Sequence, residues 1–441
     1  MSVVNKCGNH IIVDRLFVLG LIALMDSKSD VASALGMMRA KTGAPSGGSG
    51  SGGQFPGMRV YRRSRWVRGK GFVGKANCFH VMSRIVDGLE HFSDEDREAL
   101  VVLLFKMARF CRVKVLTYCV MGNHFHALIE VPDGEKVREY FRDEKVGWER
   151  LYGHLSCLYS KGYLAMLRRQ VESFLEAGRV AEAEEIREAF LLRIGDLSRF
   201  MWELKERYTK WYNKVHGRRG ALWMGRFKSV LVQGNEKAQD ADGGYSQALR
   251  TMAAYIDLNP VRAGWVQDPA DYRWCGYAAA VVGSKRSRRG LNRVMGSGVD
   301  RWEEDGTHDC YRQLLMRHGL DAATAGPVID GKKRRGVPEP QRQEELKRLR
   351  AKIAQQPPRQ VSEADSTASA EPTRSEADWE EGVDFARKGH RGMLRGYALG
   401  EQDWVERVFE ENRESFGAKR KRGGRKLGLG KLYALRQVKR E

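Results

Sequence analysis

A two-residue turn between two β-rich runs constrains the fold of this chain more than any other feature of its sequence. Residues 113–121 and 124–131 are rich in β-branched and other apolar side chains, and Gly122-Asn123 separates the two runs. This pattern predicts a β-hairpin, because a two-residue turn can join only neighbouring antiparallel strands. The hairpin implies a sheet, and the other elements have to pack around it.

Two elements before the hairpin extend this pattern. Residues 78–84 have a strand pattern, and Ser93, with Asp96 at the capping-box position, begins a helix. The order strand–helix–strand–strand is half of a ferredoxin-like α/β sandwich, so we expect an α+β fold of that kind. The predicted buried face of the helix consists of Leu100, Leu103, Leu104, Met107 and Phe110.

The region after the hairpin is mostly helical. Residues from about 133 to 195 are rich in Glu, Arg, Leu and Ala, which predicts a helical insertion. A later helix ends at about Asn259, because Pro260 disfavours helical geometry at the residue before it. The elements predicted beyond the insertion are a helix at 197–216, a Gly- and Arg-rich loop at 217–225, a strand at 227–233 and a helix at 246–259.

Two low-complexity stretches divide the chain. Residues 44–57 are dominated by Gly and Ser, and residues 355–378 are rich in Ser, Ala, Pro, Glu and Gln, compositions that do not support a packed core. The predicted parts are a disordered N-terminal extension at 1–57, a main domain at 58–285, a variable region and linker at 286–377, and a C-terminal module at 378–441 with a helix at 401–411 and a basic run at 419–426.

The chain is strongly basic. Its 441 residues include 77 Lys and Arg against 56 Asp and Glu, a formal net charge of +21. Cations that neutralise phosphates release condensed counterions, so nucleic acid is the first candidate partner. A surface kept soluble by lysines is the plainer alternative, and it explains a smaller excess of positive charge better.

Cysteine usage and hydropathy indicate the compartment. The seven cysteines include no C-x-x-C pair, which favours free thiols in a reducing cytoplasm over a disulfide framework or a structural zinc site. No apolar run is long enough to span a bilayer. We therefore expect a cytoplasmic protein without a membrane partner.

Two histidines at the start of the returning strand are the first candidate for chemistry. Residues i and i+2 of a strand point to the same face, so His124 and His126 project together. Two adjacent imidazoles make a natural pair of divalent-metal ligands. His-x-His is a weak signal by itself, and two surface histidines that meet by chance are the simpler interpretation of the motif alone.

A tyrosine and an asparagine on a later helix strengthen the first interpretation. Tyr255 and Asn259 are four residues apart, so they lie one above the other on the helix edge. Asn259 would complete the protein ligands of a metal, and Tyr255 would lie beside a polarised phosphate. A half-buried tyrosine whose hydroxyl binds water is the common alternative, and the pair matters because the histidine pair exists.

Four blocks of the sequence fall in a fixed order over roughly residues 58–280. The blocks are Phe79-His80-Val81-Met82-Ser83-Arg84, Gly122-Asn123-His124-Phe125-His126, Leu222-Trp223 with Gly225-Arg226-Phe227, and Tyr255-Ile256-Asp257-Leu258-Asn259-Pro260-Val261-Arg262-Ala263-Gly264. They resemble the motifs of REP-associated tyrosine transposases, relatives of the single-tyrosine HUH transposases of bacterial insertion sequences, and the last block is the most specific.

The resemblance implies an HUH-type fold and a tyrosine transposase activity. In the family pattern His124 and His126 bind a divalent metal, Mg²⁺ or Mn²⁺, and Asn259 is the third ligand. Tyr255 attacks a phosphodiester of single-stranded DNA, forming a 5′-phosphotyrosine and releasing a 3′-hydroxyl that later reseals the strand. A tyrosine with a pKa of about 10 is a poor nucleophile at neutral pH, so the metal has to activate the phosphate.

The expected partner is single-stranded or hairpin DNA in the nucleoid, bound by a monomer or homodimer. Proteins hold single-stranded DNA in a basic groove with aromatic stacking platforms. By resemblance, Arg226 and Lys228 line the DNA channel near the metal. The full set of predicted DNA contacts is Arg62 and Arg63 in a basic arm at 59–70, Arg218 and Arg219 in the loop, and Arg226, Lys228 and Arg262.

Three other functions stay open. The chain could be a domesticated protein that binds DNA hairpins without cutting them, or a protein that binds structured RNA. A replication-initiating HUH nuclease is a further enzymatic alternative, but those enzymes commonly carry paired tyrosines and a helicase region. Neither feature is evident in this sequence.

Overall fold

The structure is a computed structural model, and the part of the chain that it describes holds most of the predicted elements. The predicted linkers at 44–57 and 355–378 and the basic arm at 59–70, with Arg62 and Arg63, lie outside the described residues. In the N-terminal extension, strands β1 (Val3–Val4) and β2 (His10–Ile11) pair antiparallel. The described residues are 3–4, 10–11, 71–86, 92–235, 246–296, 302, 306–318, 339–354, 396–427 and 431–436.

Four antiparallel strands form one half of the main sheet. Their order across the sheet is β4-β5-β3-β6, and the predicted hairpin is present as β4 and β5. Strand β3 lies between β5 and β6, so that its Met82 is opposite both His126 and Lys228. The four strands are β3 (Asn77–Arg84), β4 (Lys114–Val120), β5 (His124–Val131) and β6 (Lys228–Val232).

Three C-terminal strands form the other half of the same sheet. Strand β7 (Gly396–Gly400) pairs parallel with β6, and β9 (Tyr433–Arg436) and β8 (Gly424–Lys426) follow, giving the order β4-β5-β3-β6-β7-β9-β8. The sequence predicted helix α13 (Gln402–Glu411) in this region but none of these strands. The exposed Arg425 and Lys426 lie on the outermost strand, where charge discourages pairing with another sheet.

One face of the sheet is covered by helices α1 (Asp94–Phe110) and α6 (Leu197–Val215). The predicted capping box of Ser93 and Asp96 is present, and the five apolar residues expected on the inner face of α1 are buried. The two helices are tied together, since Tyr208 Oη donates to the Asp96 carbonyl at 3.0 Å. The insertion extends the same core with α2 (Gly134–Arg142), α3 (Gly147–Leu155), α4 (Lys161–Glu176) and α5 (Val180–Leu191), as predicted.

The opposite face of the sheet is covered by the helix that carries Tyr255. This helix is α7 (Gln247–Asp257). Asn259, which the sequence placed at about the end of α7, instead begins a separate short helix, α8 (Asn259–Arg262), with Pro260 in its first turn. The remaining helices on this side are α9 (Gly276–Val281), α10 (Lys285–Met295) and α11 (Thr307–His318), and α12 (Glu339–Ala354) packs on α11.

A buried carboxylate fastens α7 in place. Asp257, fully buried, accepts hydrogen bonds from Thr117 Oγ1 of β4 at 2.9 Å and from Tyr311 Oη of α11 at 2.6 Å. The backbone N–H of Tyr277 in α9 also donates to it, at 3.2 Å. One side chain, two residues after Tyr255 in the chain, therefore links the sheet and three helices.

The predicted α+β class is confirmed: a mixed, open, seven-stranded sheet lies between two helical layers. Within residues 77–232 the elements follow the order β–α–β–β–α–β once the insertion is set aside. Among the described residues, no helix combines the length and apolar composition needed to cross a bilayer.

Candidate functional site

Strand β5 presents His124 and His126 on one face, as their spacing predicted. Their ring centroids are 5.1 Å apart, with the ring planes nearly perpendicular at 83°. His126 is buried, with 2% of its surface exposed, whereas His124, at the first position of the strand, is partly exposed. The pair therefore lies at the end of the sheet, with the His126 ring inside the protein and the His124 ring near its surface.

A third histidine, on the neighbouring strand β3, belongs to the same cluster. His80 Nε2 lies 2.9 Å from His126 Nδ1, and the two rings stack at 5.1 Å with an interplanar angle of 13°. His124 is held in the same way, with its Nδ1 2.8 Å from the Asn123 side-chain oxygen. In both His124 and His126 the Nδ1 atom is engaged, so Nε2 is the nitrogen left to face a ligand.

The buried histidines are neutral at physiological pH. Burial lowers the pKa of His80 to about 3. Burial, with a smaller contribution from the positive charge of Arg84, lowers the pKa of His124 to about 4. The pKa of His126 is also well below its ordinary value, chiefly because the ring is buried. A neutral imidazole keeps the lone pair that a metal ligand needs.

Helix α7 brings Tyr255 edge-on to this cluster. The Tyr255 ring centroid is 5.9 Å from that of His126 and 6.3 Å from that of His80, at interplanar angles of 89° and 86°. The residue is 5% exposed, and burial raises the pKa of its hydroxyl. The Arg262 guanidinium, 4.6 Å from the ring centroid and hydrogen-bonded to the tyrosine, partly offsets that effect.

Asn259, the expected third ligand, contacts the end of α7. Its Nδ2 donates to the carbonyl oxygens of Tyr255 at 3.0 Å and Ile256 at 3.3 Å. Within the described residues, no hydrogen bond joins Asn259 to either histidine of the motif. The same part of the chain contains no group of three or more His, Cys, Asp or Glu side chains placed to hold a metal.

Two basic residues, Arg84 and Lys228, lie at the same end of the sheet as the histidines. Arg84 lies opposite His124 in the sheet, and its charge disfavours protonation of His124 and His126. Lys228, predicted to contact DNA, is exposed and lies in one row with Met82 and His126, two strands from the latter. That separation is about 10 Å for adjacent strand spacings of about 4.8 Å.

The other predicted DNA contacts are distributed differently. Arg226 is exposed in the segment that leads into β6. Arg218 donates to the Asn213 side chain at 3.0 Å, and the exposed Arg219 follows it, both beyond the C-terminal end of α6. Of the predicted contacts, the structure thus brings Arg262 against Tyr255 and Lys228 into the row of His126, whereas Arg218 and Arg219 lie on the α6 side.

His80, Arg84 and Asn123 belong to the site although the sequence alone indicated no role for them. All three occur in blocks that carry the resemblance, but His80 is a lone histidine between Phe79 and Val81 in an apolar strand. Such a residue is usually part of the core. The signal that identifies it is the register of β3 against β5, which a single sequence does not contain.

Comparisons with known proteins complete this description. No family model and no curated protein matches the chain. One solved structure, of a REP-associated tyrosine transposase bound to a REP hairpin, is similar to it, with 15% sequence identity and a TM-score of 0.28. The similarity covers 51% of this chain and 87% of that one. At this level of likeness, an inference about function has to come from the site itself.

Proposed function

We propose that this protein is a metal-dependent enzyme that cuts and rejoins hairpin-forming, single-stranded DNA through Tyr255. The observation that carries the proposal is a buried tyrosine placed edge-on against two stacked, neutral histidines, with an arginine on its hydroxyl. A core tyrosine requires neither the imidazoles nor the guanidinium. The net charge of +21 supports a polyanionic substrate.

The chain path supports an HUH-type, ferredoxin-like core. Strands β3 to β6 follow a β–α–β–β–α–β order and form the antiparallel sheet β4-β5-β3-β6, with α1 and α6 together on one face. In this interpretation the insertion and the C-terminal strands are additions to that core. The face of the core that α1 and α6 leave uncovered is the one that holds the histidines and packs against α7.

The residues at the site are compatible with a divalent metal. His124 and His126 each offer Nε2, since Nδ1 is engaged, and both rings are neutral. The amide oxygen of Asn259 would be the third protein ligand, because its Nδ2 is used by the α7 carbonyls. A Mg²⁺ or Mn²⁺ ion held by two imidazoles and one neutral oxygen would take its remaining ligands from water and phosphate oxygens, and it would withdraw charge from that phosphate.

The protein's own residues account for the strand exchange. Tyr255 Oη attacks phosphorus, forms the Oη–P bond and breaks the P–O3′ bond, leaving a 5′-phosphotyrosine and a 3′-hydroxyl. The proton lost by the tyrosine is matched by the one gained at O3′, so the exchange needs no ATP. Arg262 favours the phenolate against the effect of burial, and Arg84 and Lys228 hold neighbouring phosphates.

Loss of the covalent adduct in Tyr255→Phe tests the assignment. The wild-type protein is incubated with Mn²⁺ and a hairpin oligonucleotide that carries single-stranded flanks, and the products are separated on a denaturing gel. The label is at the 3′ end, because a 5′-phosphotyrosine retains the part of the strand that lies 3′ of the cut. We expect a protein–DNA adduct that Tyr255→Phe abolishes. Tyr118→Phe is the matched control, because Tyr118 is equally buried but lies in the core on the opposite face of the sheet. Cleavage that persists in Tyr255→Phe contradicts this choice of nucleophile.

A DNA-hairpin-binding protein that does not cut is the second candidate. It is favoured by the orientation of Asn259, whose amide group is bonded to α7 and not to the histidines. Wild-type protein that binds the hairpin tightly but forms no adduct with Mg²⁺ or Mn²⁺ would establish this function. Competition with a matching RNA hairpin distinguishes these two DNA-directed functions from the binding of structured RNA.

A further inference from the structure

An open groove lies between α6 and the segment at 221–227, and none of the proposed chemistry uses it. Its volume is about 760 Å³, within the range of about 300–1,000 Å³ that ligand sites occupy. The side chains of α6 that line it recur at helical spacing and therefore form one wall. They are Ser198, Arg199, Met201, Trp202, Lys205, Glu206, Thr209 and Lys210.

The groove carries an excess of positive charge. Its cations are Arg199, Lys205 and Lys210 on α6 and Arg226 on the opposite wall, against a single acidic residue, Glu206. Glu206 is already paired with Lys210, at 2.9 Å. Arg199 and Arg226 are exposed, so they are accessible to a phosphate.

An exposed tryptophan lies on the same wall. Trp202 is 40% exposed although it is one of the largest apolar side chains. The facing wall is rigid, because Trp223 Nε1 donates to the Lys205 carbonyl at 3.1 Å and Lys205 Nζ donates to the Gly225 carbonyl at 2.6 Å. An accessible indole between cations, on a fixed support, is the arrangement that stacks nucleic-acid bases.

The groove leads to the end of the sheet that carries the histidines. Trp223 pairs with Ile85, directly after β3, and the Met224 N–H donates to the Arg84 carbonyl at 2.9 Å. Three residues beyond Gly225 the chain enters β6 at Lys228, in the row of His126. A strand bound in the groove could therefore pass around the sheet end, where the exposed Arg84 and Lys228 are the next cations.

We infer that this groove binds the single-stranded DNA that flanks the nucleotide held at Tyr255. Trp202 stacks on a base, and Arg199 and Arg226 contact the phosphates on either side. This inference rests on the proposed function, and it explains why the basic residues on the α6 side lie on the face of the sheet opposite the histidines. Stacking is tolerant of sequence, so the groove positions the strand and does not select a base.

Fluorescence anisotropy with two labelled oligonucleotides tests the inference. One is a blunt DNA hairpin and the other is the same hairpin with a single-stranded flank. We expect Trp202→Ala to weaken binding of the flanked hairpin by about tenfold and to leave binding of the blunt hairpin unchanged. Met166→Ala is the matched control, because Met166 is a comparably exposed apolar side chain, 44% exposed, on α4 of the insertion.

The outcomes separate this inference from the proposed function. Equal affinity of wild type and Trp202→Ala for the flanked hairpin overturns the inference, as does equal weakening for both oligonucleotides, which would assign the groove to the stem. If the same wild-type preparation still forms the Tyr255 adduct, the proposed function stands while the groove is rejected. Wild-type protein that binds neither DNA, or binds only a matching RNA, rejects both.

Discussion

The two faces of the sheet are built from the same strands but from different kinds of side chain. Towards α1 and α6, β3 and β5 present an apolar surface that includes Phe79, Val81, Phe125, Ala127 and Ile129, each nearly fully buried. Towards α7, the alternate positions of these strands and of β4 mix apolar residues such as Leu128 and Cys119 with polar residues that are also buried. These polar positions include His80, Thr117, His126 and Glu130.

The polar face keeps its buried groups only because each has a partner. A buried polar group without a hydrogen bond is costly, and here His80 bonds His126, and Thr117 bonds Asp257. Glu130 accepts two-pronged hydrogen bonds from Arg293 of α10. The apolar face needs no such arrangement. The first face is therefore a packed apolar core, whereas the second holds a cluster of paired polar side chains, to which we assign the proposed chemistry.

Neighbouring residues on β5 allow the comparison to be tested with single substitutions. Phe125, 1% exposed and packed on Trp223 at 5.8 Å, belongs to the apolar face, and His126 belongs to the polar face. We expect Phe125→Ala to lower the free energy of unfolding by about 3–5 kcal/mol, because it leaves a cavity in the core. Urea denaturation followed by circular dichroism measures the loss.

His126→Ala is the control for this experiment. It should cost clearly less stability than Phe125→Ala and yet abolish adduct formation at a temperature where both variants are folded. If His126→Ala proves as destabilising as Phe125→Ala, the two faces contribute equally to stability and the division of roles is wrong.

Local patterns in the sequence were sufficient to predict most of the central sheet. The turn at Gly122-Asn123, the cap at Ser93 and the alternation in β5 are short-range signals, and each corresponds to an observed element. The C-terminal strand β7 was missed because it is a five-residue segment, Gly396–Gly400, whose partner β6 is more than 160 positions away in the chain. Pairing over such distances leaves no local pattern.

Only part of the candidate site could be predicted from local patterns in the sequence. That His124 and His126 share a face follows from strand periodicity alone. The contact of Tyr255 with the histidines depends on how α7 crosses the sheet. The Tyr255–Asn259 pair and the resemblance suggested this contact, but local patterns do not determine the crossing. The His80–His126 hydrogen bond depends on register, and the contacts of Asn259 depend on where α7 ends, which was predicted two residues too late.

A substitution at His80 tests how residues of the polar face depend on one another. If His126 offers Nε2 to a metal, its Nδ1 carries the hydrogen and donates to His80 Nε2, which fixes the ring. We expect His80→Ala to weaken Mn²⁺ binding by about 10- to 100-fold, as loss of such a supporting group typically does. Electron paramagnetic resonance of free Mn²⁺ measures the affinity without any need for activity.

Two further variants show whether His80 acts through this hydrogen bond. His80→Gln places an amide group near the position of Nε2 and should restore part of the affinity. His154→Ala, in the insertion, removes a histidine that bonds a backbone carbonyl far from the site and should leave Mn²⁺ binding unchanged. Equal affinities in wild type, His80→Ala and His80→Gln would mean that His80 is only a packed core residue.

The smallest expected effect concerns Lys228, at the boundary between the two faces. Its side chain lies on the polar face in the row of His126, but the segment before it forms a wall of the groove on the other side. Removing one phosphate contact weakens DNA binding a few-fold at any sequence and reduces the slope of log K against log salt by about 1. We expect this result for Lys228→Ala and an unchanged slope for Lys161→Ala, which removes an exposed lysine at the start of α4. A charge that acts only at long range changes the affinity but makes no phosphate contact. An unchanged slope in Lys228→Ala would therefore mean that Lys228 contacts no phosphate and that the bound strand lies on one face of the sheet only.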